Sequence, residues 1–439
     1  MTDNAIAGSR VSRRGLLKGL SAVSAAAAAP WVVPAAALGK DGYVAPSEKI
    51  VLGAIGIGPR GRHDLDCLIA EKDLRFVAIC DTQAARRQAV KNMADQRYGN
   101  TDCVMYRDFR ELLARADVDA LLIATGDRWH AHASCYAVRA GKDVYSEKPC
   151  AITMDLCRVL AENVRRYGRV FQAGTQRRSV NNFRAAVQLA RSGKLGKLHT
   201  LYASIYRPRI TYDWLPEQPL PPRDEVDWDM WLGPCPWRPY NQTYVRGGWR
   251  VHNDFDSGAT LLDWGAHTLD LCQWANDADG TTPVEYEPGE GAITCRYANG
   301  VKVVLDCLPQ PFGDRSPHYH TSLGTCPVRF VGDEGWIETG DSGDIIVYPE
   351  SLRGELKALK TSGLSAAQHT RNFLDCVRDR TQPVANADVA RSSHIACHAA
   401  ALAWLLNRKL TLDPKTETFV NDDEANRMRS RAAREPWTL

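Results

Sequence analysis

Two stretches of the chain carry side chains suited to proton chemistry. The first, Gly141-Lys142-Asp143-Val144-Tyr145-Ser146-Glu147-Lys148-Pro149, reads as a short buried strand that ends in an acid, a base and a proline. Charged groups at a strand's carboxyl end stand where open α/β sheets bind their ligands. The second, Leu262-Asp263-Trp264-Gly265-Ala266-His267, sets an acid and an imidazole four residues apart. On a helix that spacing puts both on one face. Taken alone, each has a plainer reading. Glu147-Lys148-Pro149 is a salt-bridged turn as readily as a site. An isolated histidine is more often a surface or hydrogen-bonded core group, and Asp-x-x-x-His also mimics a pair of metal ligands.

A third pattern is Gly56-Ile57-Gly58-Pro59-Arg60-Gly61, which follows the apolar run 49–55 and precedes a helical segment over 62–70. In such a G-x-G-x-x-G loop the first glycine permits a tight turn, the second lets a pyrophosphate approach backbone, and the third lets helix and strand pack closely. The helix N-terminus then faces the phosphates. By itself the pattern is also an ordinary glycine-rich turn. A second strand over 74–80 delivers Asp81, 20 residues beyond Gly61, where an acid receives the adenosine ribose hydroxyls. An acid there repels a 2′-phosphate and argues for NAD, while Arg86 and Arg87 leave NADP open. Further βα alternation follows: a helix capped by Asp108, a strand over 119–124 ending at Thr125, a helix over 132–140 and the strand at Val144. The expectation is a doubly wound parallel sheet that closes near Gln172.

The glycine loop, Asp81, the Thr125-Gly126-Asp127-Arg128-Trp129-His130 turn and the Glu147-Lys148-Pro149 stretch together resemble the Gfo/Idh/MocA oxidoreductase family, over essentially the whole chain beyond its first 40 residues. The Thr125 turn departs from the Thr-Pro-Asp-His-Trp-His of relatives, with Gly126 in place of a rigid proline. The resemblance implies an NAD-dependent enzyme that oxidises a hydroxyl of a sugar, glycoside or polyol. It implies cofactor contacts from Gly56, Ile57, Gly58, Arg60, Gly61, Asp81, Thr125, Trp129, His130, Glu147, Lys148 and Gln176. Asp263 and His267 would meet Lys148 across the nicotinamide, with His267 as base, Lys148 holding the reacting oxygen, and Asp263 orienting His267 or sharing its proton. No metal is implied. Two other readings stand beside this one: an NAD-dependent glycoside hydrolase working by oxidation, elimination, hydration and reduction, and a sugar sensor without catalysis.

The remainder predicts an α+β domain with a large, mainly antiparallel sheet. Strands are expected over 198–206, 292–297, 301–307, 328–331, 336–339 and 345–348, with helices over 181–191, 370–380 and 389–407. Residues 207–262 form a proline-rich connection too long to be idle. It carries Trp214, Trp228, Trp231, Trp237 and Trp249, most expected to pack structurally and one or two to reach a pocket. The domain boundaries expected are 47–172 for the NAD-binding Rossmann domain and 173–439 for the substrate and oligomerisation domain.

The net charge of +3 on 107 charged residues gives no support to nucleic-acid or membrane-surface binding. The 13 cysteines include no C-x-x-C pair, so no redox dithiol is signalled. Residues 1–37 read as a leader. Ser12-Arg13-Arg14-Gly15-Leu16-Leu17-Lys18 is a twin-arginine motif, followed by an alanine-rich apolar stretch and Ala35-Ala36-Ala37 as a cleavage site. Pro30 and Pro34 break that stretch, which makes it a poor membrane anchor. The expectation is a periplasmic or secreted homo-oligomer, exported by the twin-arginine machinery with its cofactor already held.

Overall fold

The computed structural model describes residues 38–40, 44–308, 323–356 and 364–439, so the twin-arginine segment lies outside the described residues. Residues up to Lys49 form one unit and Ile50–Leu439 another, and everything below concerns the second.

The first sheet alternates with helices: β1 (Ile50–Ile57), α1 (Pro59–Ile69), β2 (Leu74–Cys80), α2 (Ala84–Tyr98), β3 (Val104–Tyr106), α3 (Phe109–Leu113), β4 (Ala120–Ala124), α4 (Asp127–Arg139), β5 (Asp143–Ser146), α5 (Met154–Tyr167) and β6 (Phe171–Ala173). Its six strands run in the order β3-β2-β1-β4-β5-β6 and all pair in parallel. The order reverses between β1 and β4, so a crevice opens beyond their carboxyl ends. Strands of such a sheet are covered on both faces and read as apolar runs, and all five residues of β4 are buried. Alternate residues serve opposite faces: Leu52 and Phe76 join one core cluster, Ile55 and Val77 the other.

After α6 (Asn181–Arg191) comes β7 (Leu198–Tyr206), then the long connection with α7 (Trp228–Leu232), then α8 (Leu262–Ala275). Strands β8 (Glu285–Pro288), β9 (Ala292–Arg296), β10 (Lys302–Leu308), β11 (Val328–Gly332), β12 (Trp336–Thr339) and β13 (Ile345–Tyr348) follow. The chain ends with α9 (Ala367–Asp379), α10 (Ala387–Leu406), β14 (Leu410–Asp413), β15 (Thr418–Phe419) and α11 (Asp423–Arg427). The second sheet has nine strands in the order β13-β12-β11-β7-β10-β9-β8-β14-β15. Among the described residues only β7 and β10 of this sheet pair in parallel. Leu201, Ala203 and Ile205 of β7 share a core with Leu262 and Leu269 of α8 and Ile395 of α10. A Cβ at Gly265 would stand 2.8 Å from Leu261 Cδ2 and 3.3 Å from Cys397 Sγ, so this glycine lets α8 pack closely.

Several parts of the later chain cross to the first sheet, Met230 of α7 and Ala387 and Ala390 of α10 among them. Phe373, Leu374 and Val377 of α9 complete the core face that holds Leu52 and Phe76, and Trp437 joins the opposite one. The long connection builds a small aromatic core of its own from Trp228, Trp231, Tyr240, Tyr244, Trp249 and Phe255. Helices α1 and α9 each start three residues before the expected position, and one boundary differs by more. Helix α4 begins at Asp127, not near 132, which places Trp129 and His130 in its first turn. The acid at that N-terminus suits the helix dipole, and Gly126 serves as N-cap where sequence suggested only a turn.

Candidate active site

The turn after β5 and the first turns of α8 meet across the crevice. The ammonium of Lys148 donates to the Asp263 carbonyl oxygen at 2.8 Å and lies 4.0 Å from Asp263 Oδ1. What aims α8 is an unusual entry: Gly258, Ala259 and Thr260 all have positive φ, at 58°, 55° and 68°. For the two non-glycine residues this is costly backbone that persists only where its surroundings enforce it.

His267 is 5% exposed, and its Nδ1 has no hydrogen-bond partner among the described residues. Burial first, then the cations Arg177, Lys148 and Arg60, drive its pKa well below 6.5. The imidazole is therefore neutral and able to accept a proton. Asp263 shares its helix face but does not bond to it. Its carboxylate faces Arg250 at 3.5 Å and Lys148, because two cations attract it more than a neutral ring does. The expected Asp263–His267 proton sharing is thus replaced by an Asp263–Arg250–Lys148 cluster.

Behind Lys148, Glu147 accepts from Gln176 Nε2 at 2.6 Å and lies 3.5 Å from Arg60 Nε. Burial opposes its charge, but Arg60, Asp64, Lys148 and Gln176 outweigh it and hold its pKa below the usual value. Asp64, fully buried, goes the other way: burial and the Glu147 charge push it up to about 9. Asp64 carries the proton and Glu147 the charge. Two further buried carboxyls face the cluster. Burial, opposed by His130 and reinforced by Asp263, raises Asp127, whose Oδ2 has no partner among the described residues. Burial and the neighbouring Asp127 and Asp263 raise Asp256.

The glycine loop is built as a dinucleotide requires. A Cβ on Gly56, which has φ 71°, would stand 2.5 Å from Thr125 Cγ2, and one on Gly61 would stand 2.6 Å from Ala124 Cβ. At Gly58 the nearest atom would be Arg86 Nη1 at 3.8 Å, which leaves the backbone open to a ligand. The N-terminus of α1 has no side-chain cap, so its amides are free to face an anion. Asp81 follows β2, with Oδ2 accepting the Ile57 N–H at 3.0 Å and Oδ1 the Gln83 N–H at 2.9 Å. These residues fit a dinucleotide.

A cavity of about 720 Å³ gathers Gly58, Arg60, Gly61, Thr125, His130, Glu147, Lys148, Gln176, Asp263 and His267. A smaller adjoining cavity is lined by Gly56, Asp81, Thr125 and Trp129, and Arg86, Arg128 and Trp231 border both. Trp129 itself is a packing residue. It is 5% exposed, donates to Met230 O at 2.8 Å and stands edge-on to Phe109 and Trp437. His130 braces two turns, with Nδ1 2.6 Å from Pro149 O and Nε2 3.1 Å from Thr125 O. Trp231 and Trp249 of the long connection reach the larger cavity, in line with the one or two expected there, and Trp264 of α8 joins them. Sequence reasoning assigned no role to Asp64, Asp127, Arg177 or Arg250. Asp127 stood inside a motif already singled out, and Arg250 inside a connection whose length was itself the signal.

A parallel sheet of this order, with a glycine loop after β1 and an acid after β2, defines a dinucleotide-binding Rossmann fold. Residues 50–175 match the oxidoreductase family, NAD-binding Rossmann fold, and residues 210–311 and 333–439 match its C-terminal alpha/beta domain. The chain belongs to the Gfo/Idh/MocA oxidoreductase family, and its cofactor is NAD. It is similar to glycosyl hydrolase family 109 protein 1 of Shewanella sp. MR-4, at 32% identity over 171 residues, which are 36% of this chain and only 37% of that relative. It is also similar to the uncharacterized oxidoreductase YrbE of Bacillus subtilis, at 25% identity over 74% of this chain and 75% of that one. In fold it resembles the WlbA dehydrogenase of Bordetella pertussis, solved with NADH and UDP-GlcNAcA, with a TM-score of 0.61 at 17% identity, covering 83% of this chain and 98% of that one.

Proposed function

We propose that this oxidoreductase acts on a hydroxyl of a sugar, glycoside or polyol, with Lys148, Asp263 and His267 as its catalytic groups. The observation that carries the reading is a buried, neutral imidazole that lines one cavity with the Lys148 ammonium and the glycine loop. Bound NAD supplies a hydride acceptor. His267 takes the hydroxyl proton, and Lys148 donates a charge-assisted hydrogen bond to the reacting oxygen. Asp263 holds Lys148 through its carbonyl, and Arg250 balances the Asp263 carboxylate. The tryptophans on the wall offer apolar faces suited to the C–H surfaces of sugar rings.

The twin-arginine motif supports export to the periplasm or beyond. Free NAD is not replenished there, so the cofactor is held tightly and reoxidised in place. A second reading, redox-neutral glycoside hydrolysis, is favoured by the similarity to glycosyl hydrolase family 109 proteins. A screen of free sugars and glycosides with product analysis decides. Ketosugar without glycosidic cleavage supports the oxidoreductase reading, and free sugar with no net change in nicotinamide supports the hydrolase. Sugar binding without turnover of any kind overturns both.

A further inference from the structure

The connection between β7 and α8 makes a detour over the first sheet. Its stretch 224–227 lies along the end of β2. There Ala84 N–H donates to Glu225 O at 2.9 Å, Asp227 N–H donates to Thr82 O at 3.0 Å, and Gln83 and Val226 form an antiparallel bridge. Arg107 fastens the same stretch through Asp224 at 2.7 Å. Then α7 crosses to the first turn of α4. Arg128 Nε donates to Trp231 O at 2.6 Å with its guanidinium 3.5 Å over the Trp231 ring, and Trp129 donates to Met230 O. Between these two anchorages lies the smaller cavity, with Asp81 and Thr125 on its floor and Met230 and Trp231 on its wall. This is the end of the crevice where the fold receives the adenosine half of a dinucleotide.

Five residues of helix are marginal by themselves, and their terminal carbonyls need partners. Met230 and Trp231 take theirs from α4, as above, and residues 434–437 secure Asp229 and the turn that follows α7. The Arg434 guanidinium donates to the Asp229 carboxylate at 2.6 Å and its carbonyl at 2.9 Å, and to the carbonyls of Gly233 at 3.1 Å and Cys235 at 3.2 Å. Its own N–H donates to Pro234 O at 2.8 Å. Trp437, 3% exposed, wedges against Trp129 and Phe109, with ring centroids 4.9 and 5.9 Å away. Neither Arg434 nor Trp437 lines either cavity.

The geometry points to Arg434 and Trp437 as a latch: positioning residues that hold Asp224–Cys235 closed over the adenosine end of the site and so slow dinucleotide exchange. Opening the clasp breaks the Arg434 bonds to α7 and pulls Met230 off Trp129. The latch gives the in-place recycling proposed above a physical cause, and it rests on that reading only for its purpose. The binding site it covers is independent of the substrate.

The test compares the full chain with Arg434→Ala and Trp437→Phe variants. Each is loaded with NADH, and loss of bound-nucleotide fluorescence is followed after a chase of excess NAD. A lost set of charge-assisted bonds predicts release at least about ten-fold faster in Arg434→Ala. Trp437→Phe, a milder change that keeps an aromatic ring, is expected to give a smaller increase. Amide hydrogen exchange should rise in 224–235 and stay unchanged in 262–275. The NAD concentration that half-saturates the emptied chain should rise while kcat of the fully loaded chain holds. NADH release at the wild-type rate in Trp437→Phe, together with unchanged exchange in 224–235, overturns the latch even where Arg434→Ala fails to fold. Rapid loss of dinucleotide from the wild type itself sinks the recycling reading instead, and the ratio of release rates still judges the latch.

Discussion

His267 owes its usefulness as a base to its burial beside Arg177, Lys148 and Arg60, all of which penalise the imidazolium. The acid limb of kcat/KM should therefore fall below pH 6.5, the ordinary imidazole value, and a limb centred at or above it would take His267 out of the mechanism. His267→Ala should lower turnover about 10²–10⁴-fold while dinucleotide binding, read by fluorescence titration, stays near the wild-type value. Of the residues around this base, the sequence displays those with a spacing: Lys148 after its strand, Asp263 and His267 on one helix face. Asp64 and Glu147 are 83 positions apart. That one holds the proton and the other the charge follows from burial and from the Lys148 and Gln176 groups that face Glu147, which no spacing reveals. Asp263 shows the same limit. Its place on the helix was legible, but its preference for Arg250 depends on where an irregular segment lands.

Among the elements, β1, β2, β4, β5 and β7 were legible because buried parallel or half-buried strands leave unbroken or alternating apolar patterns. The start of α4 was not, since Gly126-Asp127 carries the signs of a turn as well as those of a helix N-terminus. The aromatic core of the long connection was visible only as a surplus of tryptophans, because side chains that pack without a period leave no pattern to read. The contact of α1 with β4 makes a sharp prediction. Gly61→Ala sets a methyl 2.6 Å from Ala124 Cβ, so it should cost about 1–3 kcal/mol in urea unfolding and weaken NAD as the helix moves off the strand. Unchanged stability and affinity would mean that the helix–strand spacing has slack. Gly233 faces the same test from the other side, for at φ 56° its added Cβ would lie 2.3 Å from the Trp129 indole.

The whole molecule buries several histidines in the neutral state. Burial lowers His369 and His394 to about 4, His132 to about 4 and His398 to about 3. Each has a folded pKa below its unfolded value, so the unfolded chain binds more protons between the two. Their contribution is full above about pH 6.5 and is lost as pH falls towards 4. Asp64 works in the opposite sense, with stability lost as pH rises towards 9. Denaturant midpoints should therefore drop steeply from pH 6.5 to 4, and a flat profile over that range would show that these rings are hydrated. The two cores of the first sheet carry a different consequence. One face is completed by Phe373, Leu374 and Val377, and the other by Trp437, although the sheet's own strands end at Ala173. A ribosome that has delivered the six strands has delivered a sheet bare on parts of both sides, and it adds some two hundred more residues before α9 can cover one of them. The nucleotide-binding half is therefore expected to finish folding only after α9 has been made. A fragment cut near residue 175 should aggregate when expressed alone.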